Sequence, residues 1–268
     1  MDLELAGRRV LVTGSSSGLG EGMARMLVEE GCKVVVHGRN RERAEKVAQE
    51  INAAGVAIGS LSDDESAASV HEQATAALGG HIQIIVNNAG GASGDTSSRP
   101  PMDISVDEWV DTYHGNTLAA VRMNLLCVPH MVAEKFGRVI HISSAVALQP
   151  NGLGSDYSGA KASLNNYTVT LAGSLDGTGV TVNTISPGIF MTDGLIRFAQ
   201  DLYGNDSMTV EQVTERMVAD KIFVLPPAGR LGIPDDIAMT VCLLASPRSG
   251  YVTGSNYRVD GGQVRAVI

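Results

Sequence analysis

Short apolar runs alternate along the chain with longer segments whose apolar residues recur every three or four positions. Seven of these runs have the length of strands, and they cover residues 9–13, 33–37, 56–61, 82–86, 138–142, 180–185 and 254–259. The segments between most of them have the period of amphipathic helices. Strands that alternate with helices form a parallel sheet covered by helices on both faces. The pattern therefore predicts a doubly wound α/β fold with a seven-stranded parallel sheet.

Two stretches depart from this alternation. A helical pattern at residues 106–131 places the polar Asn116 inside its apolar stripe, which indicates either a satisfied helix kink or a functional amide. Residues 190–227 follow the sixth strand with two short helical patterns rich in apolar residues. Such an excursion beyond the carboxyl end of a strand is typical of a lid over a pocket. We expect one domain over residues 1–268, with a helical substrate lid at about 190–227.

Composition and charge exclude several functions. A chain of 268 residues with 44% hydrophobic residues can bury one large core, and a formal charge of -9 argues against nucleic acid or an anionic membrane as partner. The acidic amino terminus and the absence of a long apolar run predict neither a signal peptide nor a membrane span. Cys32, Cys127 and Cys242 lack metal-ligand spacing, so we expect no metal site and a cytoplasmic protein with reduced thiols.

A glycine-rich turn follows the first strand and opens a helix. Its sequence is Gly14-Ser15-Ser16-Ser17-Gly18-Leu19-Gly20. Such a turn lets backbone N–H groups approach a pyrophosphate at the positive end of a helix. A flexible glycine loop without a ligand is the alternative.

The end of the second strand bears on the choice of dinucleotide. An acid at this place holds the ribose hydroxyls of NAD, whereas a base accommodates the 2′-phosphate of NADP. Positions 36 to 40 contain no acid, and Arg39 and Arg41 follow the strand directly. The sequence therefore favours NADP over NAD, unless these arginines only solvate the next helix.

Tyr157 and Lys161 are four residues apart at the start of a predicted helix, so their side chains share one face. A phenol with a pKa of about 10 exchanges protons poorly at neutral pH, and lowering that pKa by about 3 units takes roughly 4 kcal/mol. A positive charge about 4 Å away supplies an energy of this order at an effective dielectric of about 20. The pair predicts a proton donor, with an ordinary surface helix as the alternative.

These motifs together resemble the short-chain dehydrogenase/reductase family, in its compact single-domain branch, over residues 10–262. Thr13-Gly14-x-x-x-Gly18-x-Gly20 is similar to the family's cofactor turn, and Asn87-Asn88-Ala89-Gly90 to its motif after the fourth strand. Pro187-Gly188 with Thr192 is similar to its nicotinamide-side loop. The resemblance implies a Rossmann fold and hydride transfer between a nicotinamide and a carbonyl or alcohol carbon.

The resemblance also implies a catalytic set. Tyr157 would donate a proton to the carbonyl oxygen, and Ser144 would hydrogen-bond the same oxygen, with Ser143 as the fallback for the serine. Lys161 would lower the Tyr157 pKa and hold the nicotinamide ribose. Asn116 would hold a water that links Lys161 to solvent.

The implied cofactor contacts come from the turn, the ends of the strands and the nicotinamide-side loop. They are Gly14, Ser16, Ser17, Gly18, Leu19, Gly20, Arg39, Leu61, Asn88, Ala89, Gly90, Tyr157, Lys161, Pro187, Gly188, Ile189 and Thr192. Two departures from the family pattern affect this set. Ser60 stands where an adenine-contacting Asp is usual, and Ser17 stands where another NADP marker would be basic. The preference for NADP therefore rests on Arg39.

Apolar residues dominate the expected substrate pocket. They are Ala145, Val146, Leu148, Leu153, Ile189, Phe190, Leu195 and Ile196. A small hydrophobic carbonyl or alcohol is the expected substrate, and Arg197 is either a carboxylate contact or a solvated lid residue. We expect NADPH-dependent reduction of a ketone, as in 3-oxoacyl reductase-like members. The alternative within the family is an NAD-dependent dehydrogenase of cyclic or steroid-like secondary alcohols.

Two other functional classes fit the sequence less well. An idle nucleotide-binding module would have lost a catalytic residue, and a transferase with another adenosyl cofactor would carry an acid after the second strand. The family resemblance further implies a homo-oligomer, either a tetramer or a dimer.

Overall fold

The computed structural model describes residues 1–91 and 96–267, in which seven strands form a single parallel sheet. The strands are β1 (Arg9–Val12), β2 (Lys33–Gly38), β3 (Gly55–Ile58), β4 (Ile84–Asn87), β5 (Gly137–Ile142), β6 (Val180–Pro187) and β7 (Asn256–Val259). Their order across the sheet is β3-β2-β1-β4-β5-β6-β7. The order runs outward from β1 and β4, so a ligand crevice is expected at the carboxyl ends of these two strands. The predicted doubly wound parallel sheet is confirmed.

Helices cover both faces of this sheet. They are α1 (Gly18–Glu29), α2 (Arg41–Glu50), α3 (Asp64–Leu78), α4 (Val106–Tyr113), α5 (Ala119–Ala133), α6 (Ser155–Ser174), α7 (Asp193–Tyr203), α8 (Val210–Ala219) and α9 (Pro234–Ala245). Val10 and Val12 of β1 pack with α1, α2 and α9, whereas Leu11 packs with α3 and α5 on the opposite face. This alternation follows from the period of two in a strand. Within the described residues, no helix combines the length and hydropathy needed to cross a membrane.

Several predicted strand boundaries differ from the observed ones by one to three residues. The third strand was expected at residues 56–61, but β3 ends at Ile58 because the chain then turns, with the Ser62 amide donating to the Ser60 hydroxyl. Helix α2 ends at Glu50, and Asn52 just beyond it adopts a left-handed backbone with φ of 57°.

The long helical pattern at residues 106–131 is observed as α4 and α5 joined by a π-helical turn, His114–Leu118. Asn116 lies in this turn and is 1% exposed. A π-helical turn widens a helix locally and frees backbone groups for other partners. The helix irregularity and the buried amide, which the sequence presented as alternatives, therefore occur together.

Residues 190–227 form the two predicted short helices, α7 and α8. Thr192 and Thr209 cap them, because each threonine hydroxyl accepts a hydrogen bond from a backbone amide in the first turn. Met191, Ala199, Val213, Met217 and Leu231 form a small buried cluster beside the main sheet. This segment thus has its own apolar packing next to the carboxyl end of β6.

Two histidines are buried in the sheet, His37 in β2 and His141 in β5, and burial is the main cause that lowers their pKa values. The pKa of His37 falls to about 4, and that of His141 falls to about 3. The unfolded chain binds protons at these residues below about pH 6.5, while the folded chain does not. Their contribution to stability is therefore complete above pH 6.5 and is lost as the pH falls toward 4.

We predict that the free energy of unfolding decreases between pH 6.5 and pH 5, by up to about 1.4 kcal/mol per pH unit for each histidine. Urea unfolding followed by circular dichroism at pH 7.5, 6.0 and 5.0 measures this slope. Replacing His37 by Asn retains an acceptor for the Gly14 amide, which His37 Nδ1 now accepts at 2.9 Å, and should reduce the slope. The exposed His81, replaced by Gln, is the control. An equal slope in the His37 variant would contradict the prediction.

Candidate active site

The glycine-rich turn between β1 and α1 is shaped for close approach by a ligand. Gly14 and Gly18 have φ values of 65° and 60°, a region that favours glycine. A Cβ at Gly20 would collide with the Gly14 carbonyl oxygen, and one at Gly14 would lie 2.9 Å from Ala89 Cα. Ser17 is the N-cap of α1, and its side chain makes no cap hydrogen bond. The first amides of α1 therefore face an open, small-residue turn that fits a pyrophosphate.

Hydrogen bonds from β4 hold this turn in place. The Thr13 hydroxyl accepts from the amides of Asn88 and Ala89, each at 3.0 Å. The Asn88 side-chain amide donates to the carbonyls of Thr13 at 2.9 Å and Gly14 at 3.0 Å. The structure thus brings the motif after β4 directly against the glycine turn.

The end of β2 lies beside the same turn. Gly38 is buried, and a Cβ at this position would lie 2.5 Å from Ser16 Oγ. Arg39 follows it, is exposed, and has no hydrogen bond or ion pair to any part of the chain that the structure describes. An acid at position 38 would have no room, whereas the Arg39 guanidinium is available to an anion at the strand end.

The loop after β6 closes the opposite side of the crevice. The Gly188 amide donates to the Val259 carbonyl at 3.0 Å, which ties Pro187 and Gly188 to β7. Thr192 Cγ2 lies 4.0 Å from the place of a Cβ at Gly18. The predicted nicotinamide-side loop and the phosphate turn therefore face one another across a narrow gap.

The ends of β5 and α6 bring Ser144 and Tyr157 together. The Ser144 hydroxyl lies beside the Tyr157 phenol and lowers its pKa. Ser143 is 2% exposed, and its hydroxyl donates to the Lys161 carbonyl at 3.1 Å. Only Ser144 of the two candidate serines therefore points toward the phenol.

Lys161 lies one helical turn after Tyr157 and is 3% exposed. Its Nζ donates to the Ile142 carbonyl of β5 at 2.9 Å and lies 5.7 Å from the centre of the Tyr157 ring. A Cβ at Gly90 would be 3.1 Å from the same Nζ. Lys161 thus spans from α6 to the motif after β4.

The pKa values of this pair differ from the expectation that Lys161 lowers the Tyr157 pKa. Burial raises the pKa of the Tyr157 phenol, and the hydrogen bond with Ser144 lowers it only in part. Burial also lowers the pKa of the Lys161 ammonium to about 8. Lys161 Nζ is bound to the Ile142 carbonyl and lies 5.7 Å from the centre of the Tyr157 ring.

Asn116 joins the π-helical turn to the motif after β4. Its Oδ1 accepts from the Gly91 amide at 3.0 Å, and its Nδ2 donates to the carbonyls of Gly91 at 2.6 Å and Thr112 at 2.8 Å. These contacts occupy both protons of the side-chain amide. A Cβ at Gly90 would collide with Asn116 Oδ1, so the glycine permits this close packing.

Some predicted residues lie elsewhere than expected. Leu61 is 6% exposed within the core packed by α3 and α5, and its carbonyl accepts from Arg122. Phe190 is 8% exposed and packs in the main core, where a Cβ at Gly232 would meet its ring. Leu153 is exposed, and Arg197 is an exposed residue of α7. Phe190 therefore packs in the main core and, with Ile189, also lines a cavity beside β7.

The other expected pocket residues lie in the turn after β5 and in the segment after β6. Ala145 is buried directly after Ser144, and Val146 and Leu148 are half-buried in the following turn. Ile189, Leu195 and Ile196 pack partly against the small cluster beside α7 and α8. Apolar residues thus follow Ser144 directly in the chain, and others lie in the cluster beside α7 and α8.

Two residues at this site were missed by the sequence reasoning. His37 accepts the Gly14 amide and so fastens the phosphate turn to β2, which no motif signals. Asp156, directly before Tyr157, is 1% exposed and accepts hydrogen bonds from two threonines. A carboxylate beside a catalytic tyrosine was visible in the sequence as an unusual neighbour.

The donor set suits a dinucleotide and not a metal. Backbone amides of a glycine turn, a free Arg39 and a Lys161 ammonium recognise phosphates and hydroxyls. Over the residues that the structure describes, no three His, Cys, Asp or Glu side chains gather as a metal site.

Comparison with known proteins gives consistent matches. A family model described as short chain dehydrogenase matches residues 8–202. The uncharacterized oxidoreductase YvaG of Bacillus subtilis is 33% identical, with all of both chains covered. The 3-oxoacyl-[acyl-carrier-protein] reductase FabG of Vibrio cholerae is 33% identical over 97% of this chain and 98% of its own. The structure of L-sorbose reductase from Gluconobacter frateurii, complexed with NADPH and L-sorbose, is 29% identical with a TM-score of 0.88 over all of both chains.

Proposed function

The chain belongs to the short-chain dehydrogenase/reductase family, and on this premise we propose that it reduces a ketone on a hydrophobic substrate with NADPH. As a family member it is an NAD(P)-dependent oxidoreductase that acts on CH–OH groups. The observation that carries the proposal is the placement of the Ser144 hydroxyl beside the Tyr157 phenol, next to Lys161 and across from the phosphate turn. The bound dinucleotide would supply the hydride.

Tyr157 is the proposed proton donor. Because burial raises its pKa, the phenol keeps its proton at neutral pH, as a donor in the reducing direction must. As hydride reaches the carbonyl carbon, the C=O π bond opens and the oxygen takes the Tyr157 proton. Ser144 would donate a second hydrogen bond to that oxygen and stabilise its developing negative charge.

Lys161 and Asn116 support the donor. The Lys161 ammonium has protons beyond the one given to the Ile142 carbonyl, and these would bind a ribose hydroxyl and return a proton to Tyr157. Asn116 would hold the segment at Gly91 through its side chain, which is already fully engaged, so a bridging water would bind elsewhere than on its Nδ2.

NADP is the proposed cofactor form. Gly38 leaves no room for a ribose-binding acid beside Ser16, and Arg39 offers an exposed guanidinium at the same strand end. Guanidinium binds phosphate in a bidentate manner. The NADPH named with L-sorbose reductase is consistent with this choice.

The proposed substrate has a hydrophobic body around the ketone. Support comes from Val146, Leu148, Ile189, Leu195 and Ile196, which are half-buried, and from the similarity to the 3-oxoacyl reductase of Vibrio cholerae. The similarity to L-sorbose reductase favours a polyhydroxy ketone as a second candidate.

A panel of carbonyl compounds tests this function. We expect the protein to oxidise NADPH, read at its nicotinamide absorbance, with ethyl 3-oxobutanoate or acetophenone, and to use L-sorbose less well. NADH should support a lower kcat/KM. If none of these ketones consumed NADPH while cyclohexanol reduced NAD⁺, the NAD-dependent alcohol dehydrogenase alternative would replace the proposal.

We further propose a homo-oligomer. Val106, Trp109, Val110, Tyr113 and Val169 are large apolar side chains exposed on α4 and α6, and a monomer leaves them in water. Light scattering tests this proposal, and a monomeric mass in solution would refute it.

A further inference from the structure

A buried carboxylate lies directly before the proposed proton donor. Asp156 is 1% exposed, and its Oδ2 accepts from the hydroxyls of Thr96 at 2.9 Å and Thr112 at 2.6 Å. Both threonines are buried as well. Its other oxygen, Oδ1, is buried without a hydrogen-bond partner anywhere in the described chain. Burying a carboxylate costs free energy. In return, its two hydrogen bonds connect Asp156 to two other segments of the chain, which an apolar residue at this position could not do.

The two threonines belong to separate segments: Thr96 to a 3-10 turn and Thr112 to α4. Thr96 opens a 3-10 turn, Thr96–Ser98, which follows the motif after β4. The same segment contacts the start of α6 a second time, because the Gly154 amide donates to the Arg99 carbonyl at 3.1 Å. A Cβ at Gly154 would lie 3.1 Å from Ser97 Cα, so the two backbones are in close contact. Asp156 therefore clamps the segment Thr96–Ser98 against the helix that carries Tyr157.

Thr112 extends the connection to the opposite wall. Its carbonyl accepts from Asn116 Nδ2 at 2.8 Å, and Asn116 in turn binds both the amide and the carbonyl of Gly91. A continuous set of hydrogen bonds thus runs from Asp156 through Thr112 and Asn116 to the motif after β4. This set of hydrogen bonds passes through the π-helical turn. The backbone hydrogen bonds there are wider than in an α-helix and fix the position of Asn116 less firmly.

We propose that Asp156 is a positioning residue for hydride transfer: it sets the distance between Tyr157 on α6 and the Asn116–Gly91 contact on the cofactor side. This role rests on the proposed function of Tyr157. It acts through Thr96 and Thr112, and Asp156 itself touches neither substrate nor cofactor. A carboxylate suits this position because one oxygen can accept both hydroxyl protons, whereas alanine can accept none.

Variants of Asp156 test the proposal by rate per bound cofactor. In Asp156→Ala, the single-turnover rate of NADPH oxidation by ethyl 3-oxobutanoate, normalised to NADPH bound in a fluorescence titration, should fall about 10-fold. NADPH affinity should stay within about twofold, since the glycine turn is held by Thr13, Asn88 and His37 and not by Asp156. Asp156→Asn keeps a carbonyl oxygen for the threonines and should recover most of the rate. Ser155→Ala is the matched control, because the Ser155 hydroxyl is buried without a hydrogen-bond partner in the described chain.

A residue with only a structural role would lower the amount of folded protein but not the rate per bound NADPH. An unchanged normalised rate in Asp156→Ala would therefore overturn the proposal. If that variant fails to fold, Thr112→Val and Thr96→Val remove one hydrogen bond each at constant volume, and an unchanged rate in both would overturn it equally.

Hydrogen exchange separates this outcome from failure of the proposed function. In Asp156→Ala, peptides containing Gly91 and residues 112–116 should exchange faster, while residues 14–20 stay as protected as in the wild type. This readout needs no substrate. Wild-type protein that is inactive on every ketone would refute the function, whereas unchanged exchange at Gly91 would refute the clamp.

Discussion

Replacing Tyr157 by Phe is expected to lower kcat for ketone reduction by about 10³-fold, because the phenylalanine ring keeps the packing but has no proton to donate. NADPH affinity should be unchanged within about twofold, since Lys161 and its hydrogen bond to the Ile142 carbonyl remain. Steady-state kinetics together with NADPH fluorescence titration measure the two quantities on the same preparation.

The matched control is Tyr167→Phe on the same helix. Tyr167 is half-buried, and its ring lies 5.7 Å from that of His141, away from Ser144. Loss of its hydroxyl should leave kcat within about threefold. Near-normal turnover in Tyr157→Phe, with a normal circular dichroism spectrum, would show that another group donates the proton.

Replacing Arg39 by Ala is expected to raise the KM for NADPH by about 10- to 100-fold. The loss corresponds to hydrogen bonds from a charged group to a phosphate, worth about 1.5–3 kcal/mol. The KM for NADH should change by less than about twofold, because NADH has no 2′-phosphate. Initial rates with both cofactors at saturating ketone give the ratio.

Arg41→Ala is the control for this charge effect. Arg41 is on the first turn of α2, and its guanidinium pairs with Glu45 at 3.1 Å, so it has a partner that Arg39 lacks among the described residues. Arg41 carries the same charge as Arg39, but its replacement by Ala should change the KM for NADPH by less than about threefold. If the KM for NADPH rose equally in both variants, the preference for NADPH would come from the general positive charge at the strand end. Arg39 would then have no specific role.

The upward shift of the Tyr157 pKa affects how the enzyme would respond to pH. A phenol whose pKa is raised by burial stays protonated through neutral pH, which favours reduction. Lys161, with a pKa of about 8, changes charge close to the working range. The ammonium of Lys161 is therefore the group near the donor whose titration most directly alters the site.

Much of the architecture follows from local sequence. Runs of Val and Ile at strand length, glycines after β1, and helical spacing in between predict a parallel sheet with a phosphate turn, because these signals depend on residues close together in the chain. The family resemblance rests on the same local motifs. The short helices α7 and α8 were predicted for the same reason, since their apolar periodicity is contained within short segments.

Other features depend on contacts between distant residues. The family resemblance implied Ser144, with Ser143 as the fallback, and contacts between the end of β5 and α6 direct Ser143 to the Lys161 carbonyl and Ser144 to Tyr157. The sequence predicts Phe190 as a pocket residue, and its packing against Gly232, which joins it to the core, depends on a residue 42 positions away.

Local sequence predicts which residues could carry the chemistry. Their burial and their hydrogen-bond partners are set by the packing of distant segments. Spacing predicted that Tyr157 and Lys161 share a helix face, but not that Lys161 is held by the Ile142 carbonyl, 19 residues earlier. The link from Asp156 through Thr112 to Asn116 joins residues 40 and more positions apart. Burial and hydrogen-bond direction are set by such long-range packing, and no local pattern encodes them.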